Sequence, residues 1–211
     1  MYDIGKRIID VIGSTCALLL FSPIMIITST LIKIYSPDGP IFADIPMRVS
    51  KGGGEFRMYK FRSMIPNAHE WLLNNPEWYK KYQENNYKLE ENEDPRLIKG
   101  GRFIRKFSID ELPQFINVLK GDMSIVGPRA YYPFELKEQA EAFPETKAYI
   151  GLLKEVKPGI TGPWQVGGRS KIGFVDRVKM DAEYAKRKSL VYDLLIILKT
   201  PVAVFTSKGA Y

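Results

Sequence analysis

The sequence predicts an α/β or α+β fold: a small sheet surrounded by helices, with a re-entrant membrane helix at the N-terminus and amphipathic helices lying in the interface. Three observations carry this. A charge-free apolar run extends from Val11 to Ile32. Two short alternating segments, Ile41–Phe42 and Glu55–Phe61, flank a glycine-rich stretch and read as strands. Most of the remainder has polar or amphipathic helical spacing.

The apolar run comes first. Its 22 residues would span roughly 33 Å as a helix, about one hydrocarbon core. It is too long for a signal peptide, and no clean small-x-small cleavage site precedes the polar chain. Ser22-Pro23 sits near its middle, where proline removes a backbone donor and predicts a bend. The freed carbonyl needs a partner, and the Ser22 hydroxyl is a candidate. Lys6 and Arg7 lie before the run and Lys33 after it. A spanning helix would export one of these ends, whereas a hairpin turning at Ser22-Pro23 keeps both on the cytoplasmic side. Cys16 reads as a small apolar filler. Ser36-Pro37-Asp38-Gly39-Pro40 is a turn cluster and the natural boundary. The division is therefore a membrane hairpin over 1–35 and a second domain over 36–211.

Within the second domain, Lys51-Gly52-Gly53-Gly54 reads as a hairpin loop between strands. A phosphate cradle is a weak alternative, since no Gly-Lys-Ser/Thr follows. Residues 66–95 look like helix pieces in a mobile, solvated insertion, and His69 within them reads as idle. Helix is expected on both sides of Ser108 and over 134–150, and a loop over 157–163. Asp176 to about Lys199 is expected as helix, with Val178, Ala182, Ala185 and Leu190 on one face. Leu190–Phe205 carries Asp193, Lys199 and Pro201, too interrupted for a span. It suits either an interfacial helix with Lys186, Arg187 and Lys188 toward lipid phosphates, or a core helix with a solvated basic face.

Composition narrows the function. The 211 residues hold 31 Lys and Arg against 24 Asp and Glu, a net +7, so an anionic partner is expected. One histidine and one cysteine make zinc sites, Cys/His nucleophile pairs and an intrachain disulfide poor readings. The charge would suit nucleic acid, but no nucleic-acid motif is present and the apolar N-terminus argues for lipid.

The densest chemistry lies in Phe107-Ser108-Ile109-Asp110-Glu111-Leu112-Pro113-Gln114. The bland reading is a capping box from Ser108 to Glu111. Pro113 prefers the first helical position, which would leave the acids just before the regular helix and open to a ligand. Arg96, Lys99, Arg102, Arg105 and Lys106 precede the pair, and Lys60, Arg62, Arg129 and Arg169 stand beside Gly, Pro or aromatic residues. Arginines at turns grip phosphate oxygens in bidentate fashion. An acid pair ringed by cations suits an aspartate nucleophile, a divalent cation and a diphosphate substrate.

Here the chain resembles the bacterial sugar transferases, the monotopic phosphoglycosyl transferases that act on polyprenol phosphate. The resemblance runs through Gly39-Pro-Ile-Phe42, Tyr59-Lys-Phe-Arg-Ser-Met64, Asp94-Pro-Arg96 and Arg105-Lys-Phe-Ser-Ile-Asp-Glu-Leu-Pro-Gln114. It continues through Asn117-Val-Leu-Lys-Gly-Asp-Met-Ser124, Val126-Gly-Pro-Arg129, Lys157-Pro-Gly-Ile-Thr-Gly162, Gln165-Val166 and Gly168-Arg169. It implies transfer of a sugar 1-phosphate from a UDP-sugar to undecaprenyl phosphate, with release of UMP. Asp110 would be the nucleophile, forming an aspartyl phosphosugar and contacting Mg2+. Glu111 would be its partner in metal or proton handling. Arg105, Arg129 and Arg169, with Lys60 and Arg62, would hold phosphates. The resemblance further implies the bacterial inner membrane, with the catalytic domain on the cytoplasmic face, and a first membrane step of exopolysaccharide or glycoconjugate synthesis. The C-terminal part is similar to the hexose 1-phosphate transferases, so glucose or galactose is expected, with an N-acetylated amino sugar as the alternative. Pro163, Ser170, Ala130 and Lys51-Gly-Gly-Gly54 depart from the family pattern, which bears on sugar choice and loop shape. A non-catalytic module binding anionic lipid is the competing class, a homodimer stays open, and strand order does not follow from periodicity.

Overall fold

A single helix, α1 (Tyr2–Tyr35), takes up the whole apolar run. The structure is a computed structural model and describes residues 2–84, 89–90, 93–168 and 172–205. Pro23 lies inside α1 without ending it. The carbonyl that a Pro23 N–H would have bonded is that of Leu19, and the Ser22 hydroxyl donates to it at 2.8 Å. The expected local compensation is therefore present.

Helix α1 reverses ordinary polarity. Its buried side chains are Lys6, Asp10, Ser14, Thr28 and Ile32, whereas Leu19 and Leu20 are each 72% exposed. Lys6, Asp10 and Ser14 share one face by four-residue spacing. That face packs on the body of the protein: Asp10 Oδ1 accepts from the Ser124 hydroxyl (3.0 Å) and the Ile125 N–H (2.9 Å), and Arg7 donates to the carbonyls of Val118 and Leu119. Ile32, at the other end, joins Phe61, Ile98 and Ile104 in a core cluster. Between Thr15 and Ile27 no side chain is buried.

Strands β1 (Arg48–Val49) and β2 (Glu55–Phe56) form an antiparallel hairpin closed by the Lys51–Gly53 turn. The glycine-rich loop is thus a hairpin loop, as expected, and Gly52 and Gly53 take positive φ of 79° and 84° there. The partner strand differs from expectation. It is 48–49 rather than 41–42, and Phe42 instead bridges Phe61, the two rings stacking 5.8 Å apart. Helices α2 (Ala68–Leu73) and α3 (Pro76–Glu84) form the inserted segment, with His69 exposed on α2.

Helix α4 (Gly101–Lys106), a tight turn at Ile109–Glu111 and α5 (Gln114–Lys120) confirm helix on both sides of Ser108. Strand β3 (Ser124–Val126) pairs in parallel with β4 (Gly159–Thr161). The segment expected as a loop therefore contains a strand. A Cβ on Gly127 would overlap Lys157 O, and one on Gly159 would overlap the Gly127 backbone, so this crossing of two chains requires glycine. The two small sheets lie among helices, and Met58, Phe56, Val118 and Met123 join the hairpin to α5 and β3.

The helix expected over 134–150 is two: α6 (Pro133–Ala142) and α7 (Lys147–Leu153), parted at Phe143-Pro144 because proline cannot continue the ladder. Helix α8 (Pro163–Gly167) follows β4. The single helix expected from Asp176 to Lys199 is also two, α9 (Phe174–Arg187) and α10 (Leu190–Phe205). Ser189 restarts the helix, its hydroxyl accepting from the Tyr192 N–H at 3.2 Å. Val178, Ala182 and Ala185 are buried as expected, and Leu190 is half-buried. Helix α10 repeats the inverted polarity of α1: Asp193 and Ile196 are buried while Leu198 is 73% exposed.

Candidate active site

The acid pair sits where α4 stops and α5 has not begun. Ser108 takes a left-handed φ of 55°, which reverses the chain after Phe107. Its side chain makes no capping hydrogen bond, so the capping-box reading is corrected: the pairing here is Glu111 N–H to the Ser108 carbonyl at 3.1 Å. Pro113 then occupies the N-cap of α5. The acids therefore lie in an irregular turn before the helix, as the proline suggested.

Asp110 is 2% exposed. Its Oδ2 meets the Lys60 ammonium at 2.9 Å, and the same ammonium lies 3.5 Å from Glu111 Oε1. The Glu111 side chain is 39% exposed and forms the open side of the pair. The backbone locks this geometry. The Phe61 N–H donates to the Asp110 carbonyl (2.8 Å), and the Tyr59 N–H donates to Asn117 Oδ1 (2.8 Å). Fully buried Asn117 also donates to the Arg57 carbonyl (2.8 Å), tying the segment carrying Lys60 to α5.

Burial pushes the Asp110 carboxyl upward, Lys60 pulls it back, and Glu111 adds to the rise. For Lys60, burial works against its charge, but the two carboxylates prevail and its pKa rises. Lys60 thus stays cationic beside a poorly solvated carboxylate. Arg105 is half-buried and acts electrostatically on both partners. A carboxylate stripped of water and held by one oxygen is a competent nucleophile toward phosphorus.

The other expected cations separate. Arg62 is fastened elsewhere: Nε donates to the Pro40 carbonyl (2.7 Å), and the terminal nitrogens donate to the Ser36 hydroxyl and carbonyl (2.8 and 2.6 Å). It clamps the turn leaving α1. Arg129 lies in a second group with Arg48 and Arg177, neither of which the sequence pointed to. Arg129 and Arg177 each lie over the Trp164 ring, 5.2 Å from its centre, and Arg48 lies within electrostatic reach of Arg129 and Glu111. A signal for Arg177 existed: Asp181 lies four residues on and occupies the buried face of α9. Arg169 lies outside the described residues.

The donor set fits a magnesium ion of one kind. Among the described residues no cluster of three or more His, Cys, Asp and Glu side chains exists, so there is no all-protein cage. Two adjacent carboxylates, one of them open, are the hard oxygen donors that suit magnesium arriving with substrate phosphates.

A buried, lysine-held aspartate, an exposed neighbouring glutamate and surrounding arginines define the class of a phosphoryl-transfer enzyme docked to a long apolar helix. The chain belongs to the bacterial sugar transferase family, whose description it matches over residues 1–207. It is 37% identical over 211 residues to the exopolysaccharide production protein ExoY of Rhizobium meliloti, covering 98% of this chain and 88% of that protein. It is 40% identical over 214 residues to an undecaprenyl-phosphate galactose phosphotransferase of Salmonella typhimurium, covering 98% of this chain and 41% of that one. A UDP-N-acetylgalactosamine-undecaprenyl-phosphate N-acetylgalactosaminephosphotransferase of Aeromonas hydrophila is 37% identical over 213 residues, covering 100% of this chain and 46% of its own. The protein is accordingly a transferase, and the reading as a non-catalytic lipid-binding module falls.

Proposed function

We propose that this protein moves a sugar 1-phosphate from a UDP-sugar to undecaprenyl phosphate through a covalent intermediate on Asp110. The observation that carries this is the 2.9 Å contact of Lys60 with a buried Asp110 beside open Glu111. An Asp110 carboxylate oxygen attacks the sugar-side phosphorus. The bond from that phosphorus to the UMP oxygen breaks, and its electron pair leaves with UMP. The phosphate oxygen of undecaprenyl phosphate then attacks the same phosphorus. The aspartyl bond breaks, the carboxylate is restored, and a lipid diphosphate sugar results. Lys60 orients Asp110 and offsets its charge, Glu111 holds the open side, and Arg105 and Arg129 supply positive charge toward the phosphates. Magnesium, held by Asp110 and Glu111 together with substrate phosphates, would neutralise charge on the diphosphate.

A hexose, glucose or galactose, is the favoured sugar, and the galactose phosphotransferase relative supports it. The N-acetylgalactosamine relative keeps the amino-sugar reading alongside it. A donor screen reading UMP release decides between them.

The site is placed on the cytoplasmic face of the bacterial inner membrane, with α1 re-entrant. Support comes from the burial of both ends of α1 against the body and the exposure of its middle. Its reversed polarity, shared by α10, suits apolar surroundings and an interfacial position for α10. Cysteines placed at Asp3 and Pro37 in a Cys16→Ser background should label from the same side of the membrane. Labelling from opposite sides overturns the hairpin.

The catalytic test is direct. Donor labelled at the sugar-side phosphate, incubated without acceptor, should leave label on Asp110. Asp110→Asn should lower UMP release about 10³-fold or more. An Asn variant that turns over normally overturns the assignment.

A further inference from the structure

Lys60 reaches the acid pair from a stretch of chain with no regular structure. Strand β2 ends at Phe56, and residues 57–60 belong to neither helix nor strand. Lysine carries its charge on a flexible four-carbon stem, so the ammonium is only as well placed as the backbone that bears it. That backbone is tied on both sides of Lys60. After it, the Phe61 N–H donates to the Asp110 carbonyl at 2.8 Å. Before it, the Tyr59 N–H donates to Asn117 Oδ1 at 2.8 Å. The first tie runs from backbone to backbone, and the second ends on a side chain.

Asn117 suits that place chemically. It is fully buried on α5, the helix that follows the acid pair. While its oxygen accepts from Tyr59, its nitrogen donates to the Arg57 carbonyl at 2.8 Å and to Asp122 Oδ2 at 3.2 Å. A carboxamide offers one accepting and one donating atom. An aspartate here could not donate to Arg57, a leucine could do neither, and a serine is shorter.

The surroundings do not call for an amide. Val118, next on α5 and also fully buried, packs with Phe56, Met58 and Met123 in an apolar cluster. A polar group in such a setting is costly unless its hydrogen bonds are made. Here they are made to the two backbone groups that flank Met58 and lead into Lys60.

We infer that Asn117 is a positioning residue for the reaction, holding the backbone at Arg57 and Tyr59 so that the Lys60 ammonium stands on Asp110 Oδ2. It acts through Lys60 rather than on the substrate. The inference rests on the function proposed above, because it needs Asp110 as the attacking group.

The test is a double-mutant cycle on the full chain in detergent, read by UMP release. Asn117→Leu removes the amide's hydrogen bonds at similar side-chain size. Its kcat should fall about tenfold to a hundredfold, as displacements near 1 Å do at reacting centres. KM for the UDP-sugar should stay within about twofold, since the interaction lost is not one that binds donor. In a Lys60→Met background the same change should cost less than about threefold, because the group it positions is already gone. Val118→Ala supplies the comparison: it should lower the melting midpoint without the fall in kcat. Should Asn117→Leu fail to fold, Asn117→Ser takes its place in the cycle, leaving room for water to bridge the two backbone groups. Equal losses in both backgrounds overturn the inference. So does an Asn117 variant with kcat intact, or a Val118→Ala protein with the same loss. Asp110→Asn is measured alongside. Normal turnover there sinks the catalytic reading, whereas an inactive Asp110→Asn with equal losses in the cycle sinks the positioning role alone.

Discussion

Two of the buried ionic clusters among the described residues are built differently. At the base of α1, Lys6 meets Asp193 at 3.0 Å and Asp10 at 3.5 Å. Asp193 accepts from the Tyr184 hydroxyl at 2.7 Å and the Tyr2 hydroxyl at 3.1 Å, and Asp10 accepts from Ser124 and Ile125. Both oxygens of Asp193 are met by donors, and Asp10 Oδ1 takes two hydrogen bonds beside the Lys6 ammonium. Around Asp110 the side-chain partner found among the described residues is Lys60, at Oδ2, and Glu111 stands open. Saturation is what an anchor needs, since unpaired buried charge is costly. Openness is what a nucleophile needs, because an oxygen already spent on several donors is a poor attacker. With Asp110 as the proposed nucleophile, the difference separates a structural use of buried charge from a chemical one.

The largest stability effect should come from breaking the anchor. Lys6→Met leaves Asp10 and Asp193 without their ammonium, and removing one partner of a buried pair costs about 3–5 kcal/mol. A thermal melt in detergent should show a large fall in midpoint. Lys60→Met should do the reverse, with a modest shift in melting and a fall in turnover of about 10²-fold or more, since it disturbs the group on the attacking oxygen. If Lys60→Met unfolds the protein while Lys6→Met spares it, the contrast drawn between the clusters is wrong.

Asp181 sharpens the contrast through pH. Its carboxyl is raised from 3.8 to about 7, chiefly by burial. Between those values the folded chain still holds a proton that the unfolded chain has released, so protonation favours the folded state. This group's contribution is therefore full at low pH and declines as pH rises through the window. The melting midpoint should fall from about pH 5 to about pH 7.5, and Asp181→Asn should flatten that slope. The difference between the two proteins isolates this residue from other titrating groups. An identical slope in the variant removes Asp181 as its cause.

What was readable beforehand follows the range of the interactions. The acid pair, Pro113 and Ser22-Pro23 announce themselves in a few consecutive residues, whereas Lys60, expected to hold phosphate, meets the acid pair itself. Lys60 and Arg62 look equivalent in Tyr59-Lys-Phe-Arg-Ser-Met64, yet one meets Asp110 and the other clamps Ser36 and Pro40. Nothing local separates them, because the choice is made by chain segments more than twenty residues away. Arg48 and Arg177 were missed for the same reason: each approaches Arg129 from a distant part of the chain, Arg48 from β1 and Arg177 from α9. The splits at Phe143-Pro144 and Lys188-Ser189 were locally readable from proline and from a capping serine, and apolar spacing continuing across them concealed both.

The smallest expected effect lies in the middle of α1, far from either charge cluster. Pro23 cannot donate to the Leu19 carbonyl, and the Ser22 hydroxyl does so in its place at 2.8 Å. In apolar surroundings that carbonyl finds no water, so Ser22→Ala removes its donor without altering shape. The expected cost is about 1 kcal/mol, seen as a small drop in melting midpoint in lipid, with UMP release near the original rate. Ser22→Thr should restore the midpoint, since its hydroxyl reaches the same carbonyl. If Ser22→Ala instead disables turnover as severely as Lys60→Met, the Ser22-Pro23 region of α1 is coupled to the reacting pair, and the separation between anchoring and chemistry argued from the two clusters does not hold.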